Sequence, residues 1–158
     1  MNRRWIFVAA AGLLAAVLAA GAGELKGRVV RVIDGDTVDV LTPENKTVRL
    51  RLWGVDCPER WQPYGAASKD YAARLCLNQN ISARTAGLRW SFGRKNADVT
   101  LSDGRNLNRA LVEAGFARWV PSYAPNEQDL KRLEANARRA RRGLWADPAN
   151  HEKGMPPP

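Results

Sequence analysis

A chain of 158 residues, 45% hydrophobic and 26% charged, is long enough for one globular domain with a moderate core. Its 25 Lys+Arg against 16 Asp+Glu give a formal net charge of +9, a field that draws polyanions: nucleic acid first, a membrane surface or an acidic polysaccharide equally in principle. The single histidine, His151, lies in the last residues, which argues against histidine acid–base catalysis and against a histidine-ligated metal site in the folded domain.

Residues 1–22 have the layout of a secretory signal. Arg3 and Arg4 are followed by an apolar run from Trp5 and by small residues that end in Ala20-Gly21-Ala22. The expectation is cleavage after Ala22 and a secreted or periplasmic protein. A membrane anchor over residues 5–22 is the alternative, since that run is just long enough to span. Only in that case is a membrane partner expected.

Residues 27–33 are rich in β-branched side chains and predict a strand. Asp34-Gly35-Asp36 is a turn, and residues 37–41 predict a second strand. In the third, Val48, Leu50 and Leu52 point one way and Thr47, Arg49 and Arg51 the other. Three short antiparallel strands in succession predict a meander. A helix is expected over residues 64–77, with Ala67, Tyr71 and Leu75 on one face. Residues 81–86 and 97–101 predict two further strands. Leu107, Ala110, Leu111 and Ala114 mark a second helix ended by Gly115. Asn126 is expected to cap a third, with Asp129 completing a variant capping box and Leu130, Leu133, Ala137 and Ala140 as its apolar stripe. Residues 150–158 predict a flexible tail. The fold class is therefore α+β, mainly β. A five-stranded OB-fold barrel with about three helices is the economical choice, because closure removes sheet edges. The domain is expected over residues 23–149.

Cys57 and Cys76 are the two cysteines. The predicted helix sets Cys76 roughly 18 Å from its start. Cys57 lies just before that start, too far for a bridge, so two unpaired thiols are expected.

The chemistry gathers between Val32 and Glu59. Asp34, Asp36, Asp56 and Glu59 lie at strand ends, and Arg51 points from the polar face of its strand toward the same end. Aspartate favours turns without any ligand, and Arg49 reads as an ordinary solvated arginine. Several carboxylates converging on one barrel mouth, however, repel one another unless a cation joins them. An oxygen-only donor set suits calcium or magnesium and not zinc. Arginine suits phosphate. Phosphodiester chemistry follows from the combination.

These residues, taken in order, resemble the staphylococcal nuclease (thermonuclease) family over roughly residues 26–147. The carriers are D-G-D-T-V at 34–38, R-L-x-G-V-D-x-P-E at 51–59 and Gly93-Arg94. They continue with D-G-R-N-L-N at 103–108, the run from Ala110 to Ala117, and Gly143-Leu144-Trp145. The resemblance implies a calcium-dependent nuclease acting on DNA or RNA, endonucleolytic and also exonucleolytic, leaving 3′-phosphates. It implies Asp36, Asp56 and the backbone carbonyl of Cys57 as calcium ligands. It also implies Glu59 as general base on the attacking water, and Arg51 and Arg94 as grips on the scissile phosphate. Asp34 matches a position close to the metal and ranks below these. The family pattern Asp-x-Tyr-Gly-Arg is here Trp90-Ser91-Phe92-Gly93-Arg94. Phe92 can stack on a base but cannot donate an O–H to a terminal phosphate. Phe92 and Tyr123 are the candidate substrate-binding aromatics, with Trp119 a further possibility whose plainer role is packing. The basic residues of the third helix, from Lys131 to Arg142, read as a solvated face that helps hold a polyanion. No obligate protein partner is implied, and a monomer is expected. The alternative is a catalytically inactive OB module that binds nucleic acid or protein; retention of Arg51, Glu59 and Arg94 argues against it.

Overall fold

The computed structural model describes residues 23–91 and 94–152. The signal expected over 1–22 and the end of the expected tail, from residue 153, lie outside the described residues. β1 (Gly23–Asp34), β2 (Thr37–Leu41) and β3 (Thr47–Leu52) form the meander, and β5 (Asn80–Ser91) and β6 (Arg94–Leu101) complete a closed barrel in the order β1-β2-β3-β6-β5. Every neighbouring pair is antiparallel except β3 and β6, which run parallel with Arg51 opposite Asn96. This is the five-stranded OB barrel expected from the strand pattern. β1 starts four residues earlier than its β-branched run, because residues 23–26 pair with β5.

The alternation within β2 and β3 fills the barrel. Val38, Val40, Leu50 and Leu52 meet Val29, Ala83, Ala97 and Val99, all buried. α1 (Gly65–Cys76) covers one end of this core. Its buried face is Gly65, Ser68, Ala72 and Cys76. Ala67 is exposed, and Tyr71 and Leu75 are half-buried. The expected stripe is thus displaced by one position, since small residues let the helix approach the barrel. The Ser68 hydroxyl donates to the Phe116 carbonyl there. Cys57 and Cys76 are both buried free thiols, as expected from their separation.

α2 (Leu107–Glu113) is capped by Asn106, whose side chain accepts from the Arg109 N–H at 2.9 Å. Between β4 (Val55–Asp56) and α3 (Gln128–Arg139), β7 (Arg118–Trp119) pairs with β4. α3 is preceded by Glu127, not Asn126, and no side chain caps it. Asp129 pairs with Arg132 at 3.0 Å instead of closing a capping box. Leu130 and Ala137 are buried and Leu133 half-buried, but Ala140 is exposed at the helix end. A 3₁₀ turn (Gly143–Ala146) buries Trp145 between Arg138 and Arg118, with guanidinium carbons 4.0 and 4.8 Å from its ring. α4 (Ala149–Glu152) follows, and Asn150 donates to the Leu144 carbonyl at 2.8 Å.

One buried side chain ties α2 to the strands that carry the candidate site. Asn108 is 2% exposed. Its carbonyl oxygen accepts from the Val99 N–H at 3.1 Å, and its amide donates to the Trp53 and Ala97 carbonyls at 2.9 and 3.1 Å. Removing it takes one bond from each of the Val99 N–H, the Trp53 carbonyl and the Ala97 carbonyl, the last of which still accepts from the Trp53 N–H at 2.8 Å. Asn108→Ala should destabilise the protein by about 3 kcal/mol in urea denaturation. Asn108→Asp should also destabilise, because an ionised carboxylate cannot donate to either carbonyl.

Candidate active site

The site is built where the β1–β2 turn meets the exit of β3. Asp36 leads into β2 and is 5% exposed. Thr37 stands opposite Arg51 in the β2–β3 register, which sets Asp36 beside the arginine. Arg51 is 14% exposed and bridges two carboxylates, with Nη1 at 2.7 Å from Asp36 Oδ2 and Nη2 at 2.6 Å from Asp56 Oδ1. Its Nη1 also donates to the Val55 carbonyl at 3.1 Å. Asp36 further accepts from the Cys57 N–H at 2.6 Å and from the Thr37 hydroxyl at 3.0 Å. Gly35 lets the turn close on this cluster: a Cβ there would lie 2.7 Å from Cys57 Sγ and 3.0 Å from Ser68 Cβ.

Burial raises the carboxyl groups of the cluster. Asp36 is pushed up by loss of solvent and pulled back by Arg51 and the Cys57 N–H. Asp56 is pushed up to about 6, chiefly by burial, against the pull of Arg51. Glu59 is exposed and is raised by partial burial and then by Asp34 and Asp36, while Arg51 and Arg94 lower it. Arg94 opens β6, two residues before the partner of Arg51, so both guanidinium charges act on Glu59 from the same end of the barrel. Asp34 lies 3.9 Å from Arg60. Burial drives the Cys57 thiol well above its usual range, which leaves it a neutral packing group.

The structure therefore brings Asp36, Arg51 and Asp56 into direct contact, with Cys57 bound to Asp36 through its N–H and Glu59 and Arg94 within electrostatic reach. Phe92 lies outside the described residues. Tyr123 is 40% exposed and stacks on Trp53, with centroids 6.5 Å apart and planes at 25°. Trp119 packs against the core and its indole N–H donates to the Ala124 carbonyl at 3.0 Å. Arg49 is not an ordinary solvated arginine. It forms a two-bond pair with Asp39 at 2.7 and 3.0 Å, and Arg31 adds a third contact at 2.7 Å. Sequence reasoning passed over Asp39; its placement on β2 opposite Arg49 is the signal that could have found it.

Among the described residues, no group of three or more His, Cys, Asp or Glu side chains stands ready as a metal cluster. The donor chemistry nevertheless fits a hard divalent cation in part. Asp36 is buried and Asp56 half-buried; they share one guanidinium and offer oxygen alone.

A family model described as staphylococcal nuclease homologue matches residues 49–147, which include Arg51, Asp56, Glu59 and Arg94. The chain belongs to the staphylococcal nuclease family. Membership makes it a hydrolase of the nuclease type. An uncharacterized endonuclease of Escherichia coli O157:H7 is 40% identical over 124 residues, covering 78% of this chain and 79% of its own. The micrococcal nuclease of Shigella flexneri is 34% identical over 160 residues, covering 92% and 87%. The thermonuclease of Staphylococcus hyicus is 32% identical over 137 residues, covering 80% and 79%.

The raised Asp56 sets a pH dependence. A carboxyl raised in the folded state contributes stability that is fully present below its ordinary value of 3.8 and is lost as pH rises through about 6. In chelator, Asp56→Asn keeps an acceptor for Arg51 without the charge. It should exceed the wild type in stability by about 2 kcal/mol near pH 7, with the difference vanishing near pH 4. Urea denaturation at the two pH values measures this.

Proposed function

We propose that this protein is an exported, calcium-dependent nuclease that hydrolyses phosphodiester bonds of DNA and/or RNA and leaves 3′-phosphates. The observation that carries the reading is the part-buried bridge from Arg51 to Asp36 and Asp56, with Glu59 in the combined field of Arg51 and Arg94. The printed activities of the relatives, endonuclease, micrococcal nuclease and thermonuclease, support it. The apolar run and small-residue end of residues 1–22 support export.

Asp36, Asp56 and the Cys57 carbonyl would hold calcium. Bound there, calcium supplies Lewis-acid polarisation of the phosphate. Arg51 and Arg94 each offer a planar fork of donors to the phosphate oxygens and stabilise the charge that builds on them. Glu59, raised by its surroundings, takes the proton of the attacking water. The water oxygen bonds to phosphorus, the bond from phosphorus to the 5′ oxygen breaks, and that oxygen takes up a proton as it leaves.

The test uses plasmid DNA and RNA, with calcium and with chelator. Cleavage should require calcium. Glu59→Gln should lower kcat by about 10²–10⁴-fold through loss of the base. Arg94→Ala should lower it by roughly 10²–10³-fold through loss of charge stabilisation. Cleavage in chelator, or wild-type rates in both variants, would contradict the reading.

A further inference from the structure

Trp61 stands apart from the other tryptophans whose side chains are described. Trp145 is fully buried between two arginines, Trp119 is tied to the Ala124 carbonyl, and Trp53 stacks on Tyr123. Trp61 is 79% exposed, the most exposed large apolar side chain among the described residues. It also lies two positions from Glu59 in the chain.

The loop that carries it is tightly closed. The Glu59 N–H donates to Gln62 Oε1 at 2.8 Å, and the Gln62 N–H donates back to the Glu59 carbonyl at 2.8 Å. The Gly65 N–H then donates to the Gln62 carbonyl at 3.0 Å. Gly65 sits so close under this turn that a Cβ would fall 1.9 Å from the Glu59 carbonyl oxygen. Trp61 is thus raised on a short knot whose other end fixes the backbone of Glu59. Beside it, Arg60 is 67% exposed and leans toward Asp34 at 3.9 Å.

We propose that Trp61 is a base-stacking residue that holds an unpaired nucleobase of the substrate beside Glu59. The inference rests on the nuclease reading for its ligand. An indole face stacks on any base without reading sequence, and only a base outside a duplex exposes its own face. A rigid mount loses little conformational entropy when the base arrives. Arg51 and Arg94 would grip the phosphate while Trp61 fixes the neighbouring nucleoside, giving a preference for single-stranded or locally opened nucleic acid.

The test measures binding without cleavage. Fluorescence anisotropy follows a labelled single-stranded oligothymidylate, and the same strand paired with oligoadenylate, on Glu59→Gln protein carrying Trp61, Trp61→Phe or Trp61→Ala. Trp61→Ala should weaken single-strand binding roughly tenfold, and Trp61→Phe should keep most of the affinity. Duplex binding should change by less than about twofold, since paired bases offer no face. With Glu59 restored, the loss should fall on KM and not on kcat. Unchanged single-strand affinity in Trp61→Ala would overturn the inference. Equal loss on single strand and duplex would also overturn it, because Trp61 would then only support the loop. Sedimentation with anionic phospholipid vesicles is the second probe: vesicle binding lost in Trp61→Ala with single-strand affinity unchanged would make Trp61 a membrane contact and overturn the inference. If the wild type cleaves no nucleic acid, the nuclease reading fails, and the binding comparison still decides the role of Trp61.

Discussion

A part-buried guanidinium held between two carboxylates sets the terms for the rest of this molecule. Arg51 is largely removed from water, and so are Asp36 and Asp56. Deleting the guanidinium would leave two carboxylates facing each other without a counter-charge, a loss of about 3–5 kcal/mol, whereas Asp56→Asn leaves Arg51 paired with Asp36. The barrel must therefore bring the β1–β2 turn, β3 and β4 to one place with little tolerance. The β2–β3 register, the narrow turn at Gly35 and the Cys57 N–H bonded to Asp36 all serve that convergence. Asn108 ties α2 to the same strands through the Trp53 and Ala97 carbonyls.

Two aspartates on the same hairpin show how environment separates structure from chemistry. Asp39 is surrounded by Arg49 and Arg31, whose heads reach solvent. Hydrogen bonding from Arg49 holds its carboxyl below the usual range. Asp39 therefore stabilises the fold above the ordinary carboxylate pKa, and that contribution is lost as pH falls through its lowered value. Asp36, three residues earlier, lies under the turn, where burial outweighs Arg51 and raises it. Its charged form is maintained at a cost in stability. Carboxylates in that condition mark a site that has chemistry to do, whereas those like Asp39 mark a scaffold.

Much of this was legible in the chain. Alternation in residues 47–52 gave the inward face of β3 and sent Arg51 outward, and the turn at Gly35 placed the aspartates at strand ends. The strand count led to the barrel, and the ordered motifs led to the family. The misses share a physical cause: they depend on partners distant in sequence. The first predicted strand stops short of residues 23–26, whose strand character comes from pairing with β5. The buried stripe of α1 is made of small residues, which carry weak hydrophobic signal but allow close approach. Asn126 has the chemistry of a cap, yet the helix begins after Glu127. Arg49 looked solvated because its partner lies on the neighbouring strand. The exposure of Trp61 could not be read from composition, since most tryptophans find a core.

On the proposed reading, Asp36 and Asp56 serve both Arg51 and a divalent cation, with Arg51 the residue that turns to phosphate. Calorimetric titration of calcium into the wild type and Arg51→Ala tests it most directly. Removing a positive charge from contact with both carboxylates should tighten calcium binding, on the order of tenfold, while nucleic-acid cleavage is lost. Weaker calcium binding in Arg51→Ala, or unchanged binding with full cleavage, would contradict it.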